Sequence, residues 1–140
     1  MEKRNVKRKA LITRADDCGS SHAANTAIYK ACQAGMIKNV SVLACGPKLE
    51  EAAEMLTGEK EICFGLHGCI NSEWDKVTWG PVAPPSRVRS LIDTRGVFYQ
   101  SQSDYIIHPP IISEIVTEYQ YQLEKVRKVG FNITYMDSHM

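Results

Sequence analysis

The sequence predicts an α/β fold built of alternating β/α units with parallel strands. Two observations carry this. Four short apolar runs, KALIT (9–13), IKNVSVL (37–43), ICFGL (62–66) and FNITYM (131–136), have the length and residue types of buried strands. Segments of helical period stand between them, and strands separated by helices pair in parallel through right-handed crossovers. In such sheets, open or barrel-shaped, chemistry collects at the C-terminal ends of the strands.

Each element has its own signal. Lys9 to Thr13 reads as a short buried strand. Ser20 or Ser21 can cap the helix that follows, in which Ala24, Ala27, Ile28 and Ala31 recur at helical spacing and Gly35 supplies the stop. Ile37 to Leu43 is β-branched and reads as the second strand. Pro47 suits a first helical turn, and LEEAAEML continues the pattern. Ile62 to Leu66 is the third strand. Residues 67–109 have no clear period and carry prolines, glycines and both tryptophans, so they are either functional or hold short elements of their own. Ile112, Ile115, Val116, Tyr119, Leu123 and Val126 form the stripe of a last helix, stopped by Gly130, and Phe131 to Met136 is the fourth strand.

Composition narrows the function classes. With 140 residues, 44% hydrophobic and 24% charged, the chain can bury one core. A net charge of +1 gives no footprint for nucleic acid. The basic start MEKRNVKR (1–8) reads as a solvated tail ahead of a single domain at 9–140, and no apolar run follows it that would make a signal peptide or a membrane span. Five cysteines, odd in number and without CxxC spacing, fit reduced thiols in a cytoplasmic protein.

The strand ends hold the chemistry. Asp16 and Asp17 follow the first strand, His67 the third, and Asp137 and His139 the fourth. Adjacent carboxylates repel, so a cation or a proton is needed to hold them together. Two imidazoles and one carboxylate form a metal-ligand set that leaves positions for water and substrate. One acid of the pair would bind the metal, and the other would be free to take a proton. Taken singly, the acids could be loop chemistry and His67 a structural histidine. A Ser-His-Asp reading of Asp137-Ser138-His139 fails on alternation, because Ser138 faces away from its two neighbours. His22, at a helix start, and His108, before Pro109-Pro110, read as non-ligands.

Several ordered motifs resemble the YdjC-like carbohydrate deacetylases, the family of the chitooligosaccharide deacetylases. ADDCGSS, then Asn25 and the helix NTAIYKACQAGMIKNVSVLA, resembles the family's opening. FGLHGCINSEW resembles its GLH segment, WGPVAPPSRVRSLIDTRGVFY a loop of one subgroup, and YMDSHM its DSH motif. The resemblance implies a divalent metal, magnesium or zinc, held by Asp17, His67 and His139, with Asp16 as general base. Asp137 would stand behind the ligands, accepting a hydrogen bond from one of them or ordering the strand end. The implied reaction is hydrolysis of N-acetyl groups on an amino sugar or oligosaccharide, with Trp74 and Trp79 as candidate sugar platforms or simply loop packing. Cys18 departs from the family's common Phe, and Gly68-Cys69-Ile70 from its usual bulkier run.

Family members continue past the DSH motif through further strand–helix units. The resemblance therefore implies about half of a distorted (β/α) barrel, with open sheet edges, self-association into a homo-oligomer and reduced activity. Two other readings stay open: a metal-dependent phosphate-ester hydrolase, for which no glycine-rich phosphate loop or basic cluster stands beside the acids, and a non-catalytic remnant that pairs with another chain.

Overall fold

A computed structural model describes residues 10–140, so the basic segment 1–8 and Lys9 lie outside the described residues. The elements are β1 (Arg14–Cys18), α1 (His22–Gln33), β2 (Asn39–Val42), α2 (Leu49–Leu56), β3 (Cys63–Gly68), two 3-10 turns (Pro85–Arg87 and Arg89–Leu91), α3 (Asp104–Ile107), α4 (Ile112–Lys128) and β4 (Ile133–Ser138). The strands form one parallel sheet in the order β1-β2-β3-β4. Each strand adds on the same side of the last. Right-handed crossovers then put the connecting helices on one face, as in a sheet curling towards a barrel. No helix among the described residues is long and apolar enough to cross a membrane.

The main core lies between the sheet and its helices. Val40, Val42, Phe64 and Leu66 meet Ile28 and Cys32 of α1, Leu49, Ala52, Ala53 and Leu56 of α2, and Val126 of α4. The α2 residues recur at i, i+3, i+4 and i+7, which gives that helix one buried stripe. Ser21 caps α1 by accepting from the Ala24 N–H at 3.1 Å. Gly35, at φ +71°, turns the chain out of the helix, with Met36 N–H bonded to the Ala31 carbonyl at 3.0 Å.

Three expectations are corrected. The first strand is not KALIT: Leu11 and Ile12 are 86% and 85% exposed, and pairing starts at Arg14 opposite Asn39. The paired segment is the polar one because its other face lines a polar site. Pro47 precedes α2, which begins at Leu49, and contributes no helical turn. The predicted stripe of α4 is only partly inward: Ile112 and Val116 are 71% and 51% exposed, Ile115 and Leu123 are half-buried against the cores, and Val126 alone of that stripe is fully buried. The other buried residues of α4 are Glu118 and Gln122.

Those two polar residues hold the long segment after β3. The Glu118 carboxylate accepts from the N–H groups of Val82 and Ala83 at 2.8 and 2.9 Å and from Gln122 Nε2 at 2.8 Å. Gln122 accepts from the Cys69 N–H at 3.1 Å and donates back to the Cys69 carbonyl at 2.5 Å. A buried backbone without a ladder must find partners, and here side chains of α4 provide them. The segment also has its own small core, in which Trp79, Ala83, Val88, Leu91 and Phe98 pack with Leu43 and Cys69.

Candidate metal centre

The site begins with an irregularity in β1. Ala15 pairs with Val40 and Cys18 with Val42, so three residue steps of β1 face two of β2. Asp17 takes up the extra residue at φ +60°, a left-handed conformation that costs a non-glycine residue of order 1 kcal/mol or more. In a regular strand Asp16 and Asp17 would point to opposite faces. The bulge turns both towards the face away from the helices.

On that face Asp17, His67 and His139 converge. Asp17 Oδ1 lies 3.3 Å from His67 Nε2 and 3.1 Å from His139 Nδ1, and the two nitrogens are 3.2 Å apart. Ligands bonded at about 2.1 Å are separated by roughly 3.0 Å in an octahedron and 3.4 Å in a tetrahedron, and these three spacings fall in that range. Asp17 Oδ1 is buried and, although within reach of both rings, makes a hydrogen bond with neither.

The outward nitrogens explain the convergence. His67 Nδ1 is 2.6 Å from Asp137 Oδ1. His139 Nε2 is 3.0 and 2.9 Å from the two oxygens of Glu73. A carboxylate only accepts, so in each neutral ring the hydrogen-bond network assigns the proton to the outward nitrogen and a lone pair to the inward one. Both imidazoles thus aim lone pairs at the point that Asp17 Oδ1 also faces. Carboxylate-backed histidines are the usual setting of metal-ligating imidazoles.

The electrostatics agree. Contact with His139 and His67 outweighs burial and holds the Asp17 carboxyl far below its ordinary range. Burial works against imidazolium at His139, but Asp17 and Glu73 outweigh it and raise the group to about 9. His67 is raised in the same way by Asp17 and Asp137 against its burial. The pocket selects for positive charge at its centre. A donor set of one carboxylate and two neutral imidazoles, with an orphaned buried oxygen, fits a divalent cation.

Asp16 stands beside this group. Arg14 holds its carboxylate through Nε at 2.6 Å and Nη2 at 3.1 Å, and its Nη1 reaches Asp137 Oδ2 at 2.6 Å. Asp16, His67 and Asp137 also lie together, but the Arg14 guanidinium already serves both acids and the Asp137–His67 bond uses Nδ1. A second cation has no free donors there. Asp137 is fixed further by Ser41, whose hydroxyl donates to Oδ2 at 2.6 Å. Gly65 lies under Tyr135, where a Cβ would sit 2.2 Å from the ring, so glycine lets the tyrosine cover the strand and bring its hydroxyl 3.0 Å from Ser41.

Of the other residues singled out in the sequence, Trp79 is buried, with Nε1 donating to the Asn71 carbonyl at 2.8 Å. Trp74 meets it edge-on at 5.2 Å and is half-buried, so of the two only Trp74 keeps appreciable exposed surface. Ser138 is exposed, His22 pairs with Glu51, and His108 stacks on Tyr99; none joins the cluster. Sequence reasoning missed Glu73 and the forked role of Arg14. Glu73 falls within FGLHGCINSEW, but its stretch has no period that would place its side chain beside His139. Arg14 could have been found from its i, i+2 relation to Asp16 once the strand was placed correctly.

The YdjC-like protein model matches residues 10–140. The chain belongs to the YdjC-like family. It is 28% identical over 135 residues to a carbohydrate deacetylase of Thermoanaerobacter pseudethanolicus, covering 94% of this chain and 50% of that protein. It is 27% identical over 126 residues to a carbohydrate deacetylase of Oceanobacillus iheyensis, covering 89% of this chain and 51% of that protein. A crystal structure from Enterococcus faecalis, provisionally described as a cellobiose-phosphate cleavage protein, superposes with a TM-score of 0.82 at 27% identity, over 95% of this chain and 49% of its own. The chain spans about half the length of the relatives it matches.

Proposed function

We propose that this chain provides the metal-binding part of a carbohydrate N-deacetylase. The observation that carries the proposal is the convergence of Asp17 Oδ1, His67 Nε2 and His139 Nδ1 on one point, with Asp17 Oδ1 buried and unpartnered. Zinc suits two imidazoles and a carboxylate well, and magnesium is the alternative. When bound, such an ion polarises an acetamido carbonyl and lowers the pKa of water.

The chain's own residues do the rest. Asp16 takes a proton from the attacking water, and Arg14, bonded to both its oxygens, fixes the carboxylate for that task. Asp137 keeps the His67 proton on Nδ1. Water adds to the carbonyl carbon, the proton taken by Asp16 passes to the amide nitrogen, the C–N bond breaks, and the products are acetate and a free amino sugar. Trp74 offers a platform for a pyranose, so the substrate class is an N-acetylated amino sugar or oligosaccharide. Buried Cys18, Cys32 and Cys69, all free thiols, suit a reducing compartment such as the cytoplasm. An apolar groove between α4 and β4 suits self-association.

The test is release of acetate from an N-acetylated chitooligosaccharide with zinc or magnesium, against release of phosphate from a sugar phosphate. Acetate release that is lost on chelation supports the reading. Phosphate release without acetate release overturns it. Phosphate chemistry is disfavoured because Arg14, the cation at the acid pair, is already bonded to Asp16 and Asp137.

A further inference from the structure

We propose that Glu73 is a positioning residue that fixes the tautomer and aim of His139, and so makes the loop after β3 a working part of the metal centre. The proposal rests on the metal reading above but extends it to a residue to which the sequence reading gave no role. The two histidines are held by different parts of the fold. His67 is clamped from within the sheet, by Asp137 on β4, which Ser41 of β2 and Arg14 of β1 hold in turn. The outward nitrogen of His139, Nε2, has no partner within the sheet. Both oxygens of Glu73 meet its Nε2 instead, at 3.0 and 2.9 Å.

Glu73 is itself braced. Asn71 Nδ2 donates to its Oε2 at 3.2 Å, and Gln100 Nε2 donates to its backbone carbonyl at 3.3 Å. The Asn71 carbonyl accepts from buried Trp79 Nε1 at 2.8 Å and from Cys69 Sγ at 3.0 Å. Ser72, whose hydroxyl accepts from the Trp79 N–H at 3.0 Å, is tied by its own N–H to the Tyr99 carbonyl at 2.9 Å. The clamp therefore stands on the small core of the loop. Glu73 cannot be a ligand in this arrangement, because it meets the nitrogen of His139 that points away from Asp17. Without it, neutral His139 could carry its proton on Nδ1, and that tautomer has no lone pair to give on the inward side.

The experiment compares the wild-type 140-residue chain with E73A, E73Q and E73D. Two readouts are taken: zinc affinity by calorimetry, and the histidine tautomer by nitrogen-15 NMR, both zinc-loaded and metal-free, the latter in alkaline buffer at a pH where the nitrogen-15 shifts themselves show the ring of His139 to be neutral. The wild type should carry the His139 proton on Nε2 in both states. E73A should lose that preference in the metal-free chain and bind zinc about 10- to 100-fold more weakly. E73Q, whose carbonyl still accepts from Nε2, should keep the tautomer and return affinity to within about 3-fold of wild type. If E73A does not fold, E73D carries the test, since it withdraws the carboxylate by one methylene. An unchanged Nε2–H tautomer in E73A, or in E73D where that replaces it, overturns the proposal even if stability falls, because a purely structural role would leave the tautomer alone. A tautomer shift in metal-free E73A with no zinc bound by any variant supports the role of Glu73 and overturns the metal reading.

Discussion

Asp17 Oδ1 and His139 Nδ1 face each other at 3.1 Å across a buried point, and no hydrogen bond joins them. The oxygen needs positive charge beside it: protonated His139 and His67 supply it in the metal-free chain and outweigh the burial of the carboxylate. Asp17 is also left-handed within a strand, a local backbone cost. That backbone turn aims the oxygen at the point both imidazoles face, the arrangement expected of a cation ligand.

Asp16 and Asp17 should separate by function. Asp16→Asn keeps a carbonyl for Arg14 but cannot take a proton. It should leave zinc affinity within about 3-fold and lower acetate release by roughly 10²- to 10⁴-fold, the usual worth of a general base. Calorimetry and an acetate assay on the same preparation check this. A parallel loss of zinc binding would make Asp16 a ligand.

The metal-free chain should lose stability in mild alkali. His139 is raised from 6.5 to about 9 in the folded state. A raised folded value contributes stability that is complete below the unfolded value and is lost as pH rises through the folded one. His67 shifts in the same direction, and Asp17, depressed, contributes above its ordinary range. Melting temperature in chelator should therefore fall between about pH 6.5 and 9. With zinc the imidazoles are already neutral, and the fall should vanish or reverse because protons no longer compete with the metal. A chelated sample with a flat profile across this window contradicts the described charge arrangement.

Much of this site was legible before the structure. The acids, His67 and His139 were placed at one sheet edge by strand order alone, because parallel strands present their C-terminal ends together. The bulge was not legible. KALIT is more apolar than RADDC, and apolar period finds strands by the face that packs on helices, whereas Arg14 and Asp16 line the other face. The polar members of the buried face of α4 were missed for a related reason. A stripe is sought among apolar residues, but Glu118 and Gln122 are buried because the backbone they face needs hydrogen-bond partners.

That account of α4 is testable. Glu118→Leu removes the acceptor for two loop N–H groups and for Gln122, and should cost about 2–5 kcal/mol in denaturant unfolding, as for other unsatisfied buried groups. Substituting exposed Val116 with Ser should cost under about 0.5 kcal/mol. Equal effects would mean that α4 is held by its apolar stripe after all.

The apolar groove between α4 and β4 is lined by Leu66, Val116, Tyr119, Leu123, Ile133 and Met136, with a volume near 400 Å³. It adjoins β4, an outer strand of the four-stranded sheet. An open edge beside an apolar face favours association. Sedimentation velocity should detect a concentration-dependent dimer or larger species. Val116→Lys should shift it towards monomer. A monomer at all concentrations would contradict this expectation.

Zinc titration of the chain with Asp17→Ala, His67→Ala and His139→Ala tests the central claim most directly. One zinc per wild-type chain is predicted, with each substitution weakening binding by about 10-fold or more. Thermal unfolding of the metal-free variants separates loss of a ligand from loss of the fold. Wild-type affinity retained in any folded variant, or no zinc bound by the wild-type chain, would contradict the assignment of Asp17, His67 and His139 as a metal centre.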